Sequence, residues 1–471
     1  MLTFAEIVES LTGKRIPEQE PLVTEAVIDS RRAIPGSLFI ALSGERTDGH
    51  QYIQSAFNKG ARMAMVEKEV EPGIAVFDLR KGLSADFAVP ATPFCVRVDD
   101  CLSALQQIAS HKRRNSSMRV IGITGSVGKS STKELISEVL SQKFHTYKNP
   151  GNFNNEIGLP LTIINSGKGT ERLVLEMGFF YPGEIDFLCG IAQPEIGVVT
   201  NIGTVHAERA GSRQVIAEGK GELIAALPSA PNGVAVLNYD DPLVRAMANK
   251  TNARVIFYGL DQRAHLWADQ IQGQGLKGIR FRLHFENRSA DLAVPILGRH
   301  SVQTILRACA VGFAEGMSWD KVISGLTKSN TQLRMVAVQT RSGALVLDDT
   351  YNATPESTIA ALDLLQELKG QRIAVLGDML ELGQYAELGH EKVGEAAARS
   401  ADHLIAVGPL SKTTATTATA CGLPPTAVTW VENASQAVDV LRYNLKKGDI
   451  VLIKGSHGLR MDRISAALEE V

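Results

Sequence analysis

The sequence predicts an α/β protein of three successive domains. Short apolar runs alternate with helical patterns along most of its length. One central stretch instead alternates apolar and polar residues one by one, and 471 residues are too many for a single ordinary core. The expected division is residues 1–98, 99–329 and 330–471.

Residues 1–98 open with a helical pattern over Phe4–Leu11. Two strand-like runs within Ala26–Leu42 follow, joined by a Pro35-Gly36 turn, which predicts a small mixed α/β domain. Asp29-Ser30-Arg31 and Asp48-Gly49-His50 gather hydrogen-bonding groups in loops, where ligand contacts tend to sit, although composition alone favours ordinary turn chemistry. Asp99–Arg114 has helical periodicity and ends in Lys112-Arg113-Arg114, cations suited to a helix C-terminus.

Val120-Ile-Gly-Ile-Thr-Gly-Ser-Val-Gly-Lys-Ser-Ser-Thr132 reads as a β-branched strand, a small-residue turn and a helix start. Glycines at 125 and 128 let backbone approach a ligand closely. N–H groups at a helix start attract phosphate, Lys129 adds charge, and Ser130 or Ser131 can hold Mg²⁺. The strict P-loop pattern has glycine where this chain has Ile123, so only the shorter Gly-x-x-Gly-Lys-Ser is present. A glycine turn with a surface lysine is the bland alternative, and the flanking strand and helix favour the phosphate cradle.

Apolar runs at Leu173–Met177, Ile196–Thr200 and Gly233–Leu237 predict a mostly parallel sheet in the central domain. Ile279-Arg-Phe-Arg-Leu-His-Phe-Glu286 alternates strictly, which predicts a half-exposed antiparallel extension. Strands near Ala344–Leu347, Arg372–Leu376, His403–Val407 and Asp449–Ile453 predict a second α/β unit at the C-terminal end.

A net charge of −2 gives no reason to expect nucleic acid or anionic membrane as a partner. Five scattered cysteines without a Cys-x-x-Cys pair argue against disulfides and zinc and fit a reducing cytosol. Without a basic flank and apolar core at the start, or an apolar run of about 18 residues, the protein is expected to be neither exported nor membrane-inserted.

Open α/β sheets bind ligands beyond the carboxyl ends of their strands. Glu176 ends one such run, and His206 lies just past another. Glu176 suits magnesium, while His206 is less usual there and competes with a hydrogen-bonding role. Lys220 lies between Gly219 and Gly221 inside a helical pattern, Arg213–Leu227. Two interior glycines cost a helix roughly 2 kcal/mol, so either close packing or a functional Lys220 uses the space.

Together, Lys129, Ser130, Glu176, His206 and Lys220 resemble the Mur ligase family of cytoplasmic cell-wall enzymes, over nearly the whole chain. Asp29-Ser-Arg31, Gly151-Asn-Phe-Asn-Asn-Glu-Ile-Gly-Leu-Pro160, Gly377-Asp-Met-Leu-Glu-Leu-Gly383, Lys454-Gly-Ser456 and above all Leu347-Asp-Asp-Thr-Tyr-Asn-Ala-Thr-Pro355 resemble its dipeptide-adding branch. The resemblance implies an ATP- and Mg²⁺-dependent amide ligase that joins D-alanyl-D-alanine to UDP-N-acetylmuramoyl-tripeptide through an acyl phosphate. The product serves peptidoglycan synthesis and hence cell shape and division.

It further implies an N-terminal domain for the UDP-substrate, a central ATP-binding domain and a Rossmann-like C-terminal domain, in a cytoplasmic monomer. Ser30 and Arg31 are then expected near the uridine, with Asn154 and Asn155 near the nucleotide-sugar phosphates. Gly125, Ser126, Val127, Gly128, Lys129, Ser130 and Ser131, with Arg334 and Asp349, are expected around ATP, and Tyr351 and Asn352 around substrate. The expected catalytic set is Lys129, Glu176, His206, Lys220 and Arg334. Ser130, Glu176 and His206 are the expected metal ligands, joined by Lys220 if CO₂ converts it to a carbamate, for which Gly219 and Gly221 would leave room.

The chain departs from the family pattern at Ser301 and Thr304, where asparagines are usual. It departs again at Gln332-Leu333, where a proline-glycine pair usually precedes the arginine matched by Arg334. The resemblance implies that these positions touch the nucleotide side and the domain hinge. Two competing readings are a sister ligase that adds a single amino acid and a nucleotide-binding regulator without turnover.

Overall fold

The computed structural model describes residues 2–17, 22–44, 47–83, 87–204, 207–327 and 335–469. The chain forms two compact units. One comprises residues 1–122, 144–178 and 185–195, and the other 123–143, 179–184 and 196–471.

Among the described residues, the first unit is built on a five-stranded parallel sheet. Its order is Ala26–Val27, Leu38–Ile40, Met63–Val66, Phe94–Arg97, Ala75–Asp78. All four residues of Met63–Val66 are buried, as a parallel strand covered on both faces requires. Phe39, Ala64, Val66 and Cys95 pack on one face with Ile53 and Ala56. Phe4 meets Phe77 and Phe94 edge-on, with centroids at 5.2 and 5.4 Å. The helix Phe4–Thr12 starts in a capping box, Thr3 with Glu6.

The basic end of the helix Cys101–Arg114 does complement helix C-termini, but those of its neighbours. Lys112 Nζ donates to the carbonyls of Ile164 and Ser166 at 2.6 and 2.5 Å, at the end of the helix Gly158–Asn165. Arg113 donates to the Ala192 carbonyl at 2.7 Å and to Glu195 at 2.9 Å. Burial lowers the Lys112 pKa to about 8. A further parallel pair, Thr146–Lys148 with Arg172–Glu176, belongs to this unit.

In the second unit Ile196–Val199, Val234–Asn238, Arg254–Gly259 and Leu266–Gly273 pair in parallel succession. Leu266–Gly273, Ile279–Phe285 and Arg288–Val294 then form an antiparallel meander. Ile279, Phe281, Leu283 and Phe285 are the buried positions of its middle strand, as the alternating sequence predicts.

The C-terminal part of this unit is a sheet in the order Val336–Gln339, Leu345–Asp349, Ile450–Lys454, Arg372–Gly377, His403–Val407, Val428–Val431. Its pairings are parallel except for the first, an antiparallel edge hairpin. Apolar clusters around Leu347, Ala374 and Leu452 and around Val346, Val375 and Ile453 cover its two faces. The architecture is α/β in its N-terminal, central and C-terminal regions, with the expected antiparallel extension.

Candidate active site

The strand Arg119–Thr124 ends in a turn whose shape is fixed by close contact. Gly125 has φ +142°, and a Cβ there would lie 1.8 Å from Thr200 Oγ1, so no larger residue fits. Thr200 sits just beyond the strand Ile196–Val199. Its N–H donates to the Thr124 carbonyl at 3.0 Å and its hydroxyl to the Val127 carbonyl at 2.7 Å. Asn201 takes the next two amides: Ser126 N–H donates to its carbonyl at 3.0 Å and Val127 N–H to its Oδ1 at 2.9 Å. Ser126 Oγ in turn accepts from Gly203 N–H at 2.9 Å. Ser126 and Val127 therefore shape the turn through Asn201. Neither Thr200 nor Asn201 stands out in the sequence, although both follow an apolar parallel strand at the edge where ligands bind.

The Gly125→Ala variant is expected to lose roughly 2–4 kcal/mol of stability, from backbone strain together with the displaced Thr200. Thermal melting without nucleotide measures this. An unchanged melting temperature would mean that the turn relaxes freely.

Gly128 caps the helix Lys129–Ser141 in the left-handed conformation, φ +82°. Lys129 Nζ reaches back across the turn to the Gly125 carbonyl at 2.8 Å. Ser130 and Ser131 are half-buried beside it, while Thr132 bonds back to the Gly128 carbonyl at 2.6 Å and serves the helix. Helix-start amides, a positive dipole end and an ammonium group converge on this turn, which fits a nucleotide polyphosphate.

Lys220, on the helix Arg213–Ala225, is wholly buried. Among the described residues its Nζ has no hydrogen-bond partner, and it lies 4.6 Å from the centroid of the Phe179 ring. Burial pushes its pKa well below the ordinary value. The charge of Lys129 adds to this shift, and Glu184 opposes it. Close packing, one of the two expected uses of the flanking glycines, holds firmly at Gly219, while at Gly221 the neighbour is the end of a flexible lysine. A Cβ on Gly219 would lie 2.1 Å from Phe179 Cε2, and one on Gly221 would lie 2.9 Å from Lys250 Nζ.

In the first unit Glu176 is 3% exposed at the end of its strand and accepts from Asn154 Nδ2 at 3.0 Å. Asn149, absent from the sequence expectations, clasps the Glu176 backbone, accepting its N–H at 2.9 Å and donating to its carbonyl at 3.1 Å. Asn155 is exposed, and its Oδ1 accepts the Gly158 N–H at 2.9 Å, shaping the start of the next helix.

Ser30 is buried in a 3₁₀ turn, while the Arg31 guanidinium is exposed and forked on Asp29 at 3.0 and 2.8 Å. That pairing holds the Asp29 carboxyl below the usual range. The Asp48 loop closes on itself. His50 Nδ1 lies 2.7 Å from Asp48, and its Nε2 accepts the Glu67 N–H at 3.0 Å, so turn chemistry accounts for this motif.

At the carboxyl edge of the C-terminal sheet, Asp349 and Lys454 are direct neighbours on adjacent strands. Lys454, 2% exposed, bonds Asp349 Oδ2 at 2.5 Å and the Asn352 carbonyl at 2.9 Å. Tyr351 is 45% exposed, and its ring centroid is 6.4 Å from that of His457. Asn352 Oδ1 accepts the Ala353 N–H at 2.9 Å. Ser301 bonds back to the Leu297 carbonyl at 2.6 Å, and Thr304 accepts from Arg307 at 2.9 Å. His206 and Arg334 lie outside the described residues.

Among the described residues no group of three or more His, Cys, Asp or Glu side chains forms a metal cage. Magnesium bound through a hydroxyl and a nucleotide's own phosphates needs none, and Ser130 and Ser131 at the helix start are donors of that kind.

Three family models match the chain: "Mur ligase family, catalytic domain" over residues 23–113, "Mur ligase middle domain" over 123–312, and "Mur ligase, glutamate ligase domain" over 333–457. A UDP-N-acetylmuramoyl-tripeptide–D-alanyl-D-alanine ligase of Mycobacterium bovis is 36% identical, over 99% of this chain and 97% of its own. A crystal structure of MurF from Acinetobacter baumannii superposes with a TM-score of 0.84 at 27% identity, covering 100% of this chain and 99% of the other. A MurF ligase from Thermotoga maritima in complex with ADP gives 0.78 at 29% identity, covering 96% and 99%.

Proposed function

The chain belongs to the Mur ligase family, and on that premise we propose that it joins D-alanyl-D-alanine to UDP-N-acetylmuramoyl-tripeptide at the expense of ATP, in peptidoglycan synthesis. What carries this reading is the strand–turn–helix cradle with Lys129 at its mouth, in a chain similar over its whole length to ligases of that name.

A carboxylate is a poor acyl donor. The tripeptide's terminal carboxylate therefore takes the γ-phosphoryl group of ATP, releasing ADP and leaving an acyl phosphate. The amine of the dipeptide attacks the acyl carbon and loses a proton, and phosphate departs from the tetrahedral intermediate. Lys129 supplies positive charge where negative charge moves during the first transfer. Magnesium, when bound, neutralises phosphate charge. Ser130 is its proposed hydroxyl ligand.

Glu176, held by Asn154 and clasped through its backbone by Asn149, is a fixed carboxylate and the proposed carboxylate ligand. Lys220, buried without a hydrogen-bond partner among the described residues, is the proposed site of a carbamate, because reaction with CO₂ requires the neutral amine that burial favours. Ser30 and Arg31 are assigned to the uridine end, Asn154 and Asn155 to the nucleotide-sugar phosphates, and Asp349, Tyr351 and Asn352 to ATP and the acceptor. His206 keeps its proposed place as a metal ligand, and Arg334 as a catalytic contact to ATP.

The three-way division at residues 98 and 329 is the working map of these roles. Among the described residues no helix is long and apolar enough to cross a membrane. The reading places the protein in the cytoplasm as a monomer.

Phosphate release and product mass, measured with ATP, Mg²⁺ and a panel of UDP-muramyl peptides, test the acceptor. D-alanyl-D-alanine is expected to couple at least tenfold faster than D-alanine, L-lysine or diaminopimelate. Faster coupling of a single amino acid would overturn the dipeptide assignment and leave the family standing.

A further inference from the structure

The helix Ser301–Ala314 carries a cation into the interior beside the cradle. Arg307 is 4% exposed. Its guanidinium lies along Gly128: a Cβ on that glycine would be 3.5 Å from Nη2, 3.7 Å from Nη1 and 3.9 Å from Cζ. Nη2 donates to Thr304 Oγ1 at 2.9 Å. Cζ stands 5.7 Å from the Tyr258 ring centroid, and the Tyr258 hydroxyl donates to the carbonyls of Val199 and Thr200 at 3.1 and 3.0 Å. The guanidinium thus backs Gly128 directly and stands beside Tyr258, which bonds the strand end whose Thr200 fixes the turn.

The electrostatics of this placement are unfavourable within the protein alone. Nε is buried with no hydrogen-bond partner among the described residues. Burial lowers its pKa, the Tyr258 hydroxyl opposes that shift, and among the described residues no carboxylate pairs with the group. The neighbouring helix start is itself positive and begins with Lys129. A buried guanidinium with an unmet donor and no counter-ion costs stability, whereas an apolar side chain of similar volume does not.

A polyanion in the adjacent cradle is the group that would offset this cost. We propose that Arg307 is a positioning residue for the nucleotide, supporting Gly128 from behind and biasing the cradle toward a polyphosphate. The inference rests on the cradle being the nucleotide site.

Full-length wild type, Arg307→Met and Arg307→Gln are compared by calorimetric titration with ADP at two salt concentrations, by melting without nucleotide, and by the kinetics of phosphate release. The neutral variants are expected to melt at or above the wild-type temperature without nucleotide, yet to bind ADP at least tenfold more weakly and with a shallower salt dependence. KM for ATP should rise by more than kcat falls.

Variants that melt lower but bind ADP like wild type would overturn the proposal and make Arg307 a packing residue. Failure of both neutral variants to fold would overturn it in the same way, and if only one folds, that one decides by the same criteria. Wild type that binds no ADP would instead overturn the nucleotide reading beneath it.

Discussion

Lys129→Ala is expected to lower kcat/KM for ligation by on the order of a thousandfold, the scale of losing a charged group that acts on the moving phosphoryl. The fold should be unaffected, because Lys129 is half-buried at the mouth of a turn whose shape is set by Thr200 and Asn201. Melting is compared without nucleotide, since weaker ATP binding would itself lower the transition. Near-normal turnover by a folded variant would remove Lys129 from the chemistry and the phosphate cradle with it.

Replacing Lys220 should separate stability from activity. Lys220→Met keeps the length and removes a buried amine, so turnover is expected to fall by at least a hundredfold while the protein becomes more stable at neutral pH. The pH dependence has a definite sign. Burial lowers the folded pKa below the ordinary 10.5, so between the two values the unfolded chain binds more protons, and wild-type stability rises with pH. The advantage of the methionine variant is therefore largest at low and neutral pH and shrinks as pH climbs toward 10.5. A gap that widens with pH would show that Lys220 is stabilised as an ammonium. Lys220→Ala distinguishes the chemistry: added short carboxylates should restore activity if a carbamate is being replaced. No rescue across a broad acid series, with an unmodified lysine under CO₂, would leave a cationic or neutral amine.

The parts of the site legible in the sequence are those carried by contiguous residues. Gly125, Gly128 and Lys129 sit where a β-branched apolar run gives way to a helical period, and that local change names a strand–turn–helix. Thr200, Asn201, Asn149 and Arg307 act on segments 27 to 179 positions away, through bonds and contacts that only the packed sheet and helices create. No local pattern marks them.

The glycines around Lys220 show the same limit. Their spacing announces close approach but not what approaches, which is the Phe179 ring at Gly219 and the movable end of Lys250 at Gly221. Lys112 and Arg113 were legible as partners for carbonyls at a helix end, but which helix is a tertiary matter. In the C-terminal sheet four strands stood out. The short edge strands Val336–Gln339 and Val428–Val431, with partly exposed residues, did not.

The division of the first unit into three separated stretches, 1–122, 144–178 and 185–195, constrains the order in which its contacts can form during synthesis. A nascent chain that has reached Gly122 carries Lys112 and Arg113 but not the carbonyls of Ile164, Ser166 and Ala192 that receive them. It also lacks Asn165, whose side chain bonds both the N–H and the carbonyl of Ala26 on the edge strand, at 2.7 and 3.0 Å. The contacts of this unit are complete only once Glu195 has been made, which is after the phosphate-cradle segment 123–143 of the other unit.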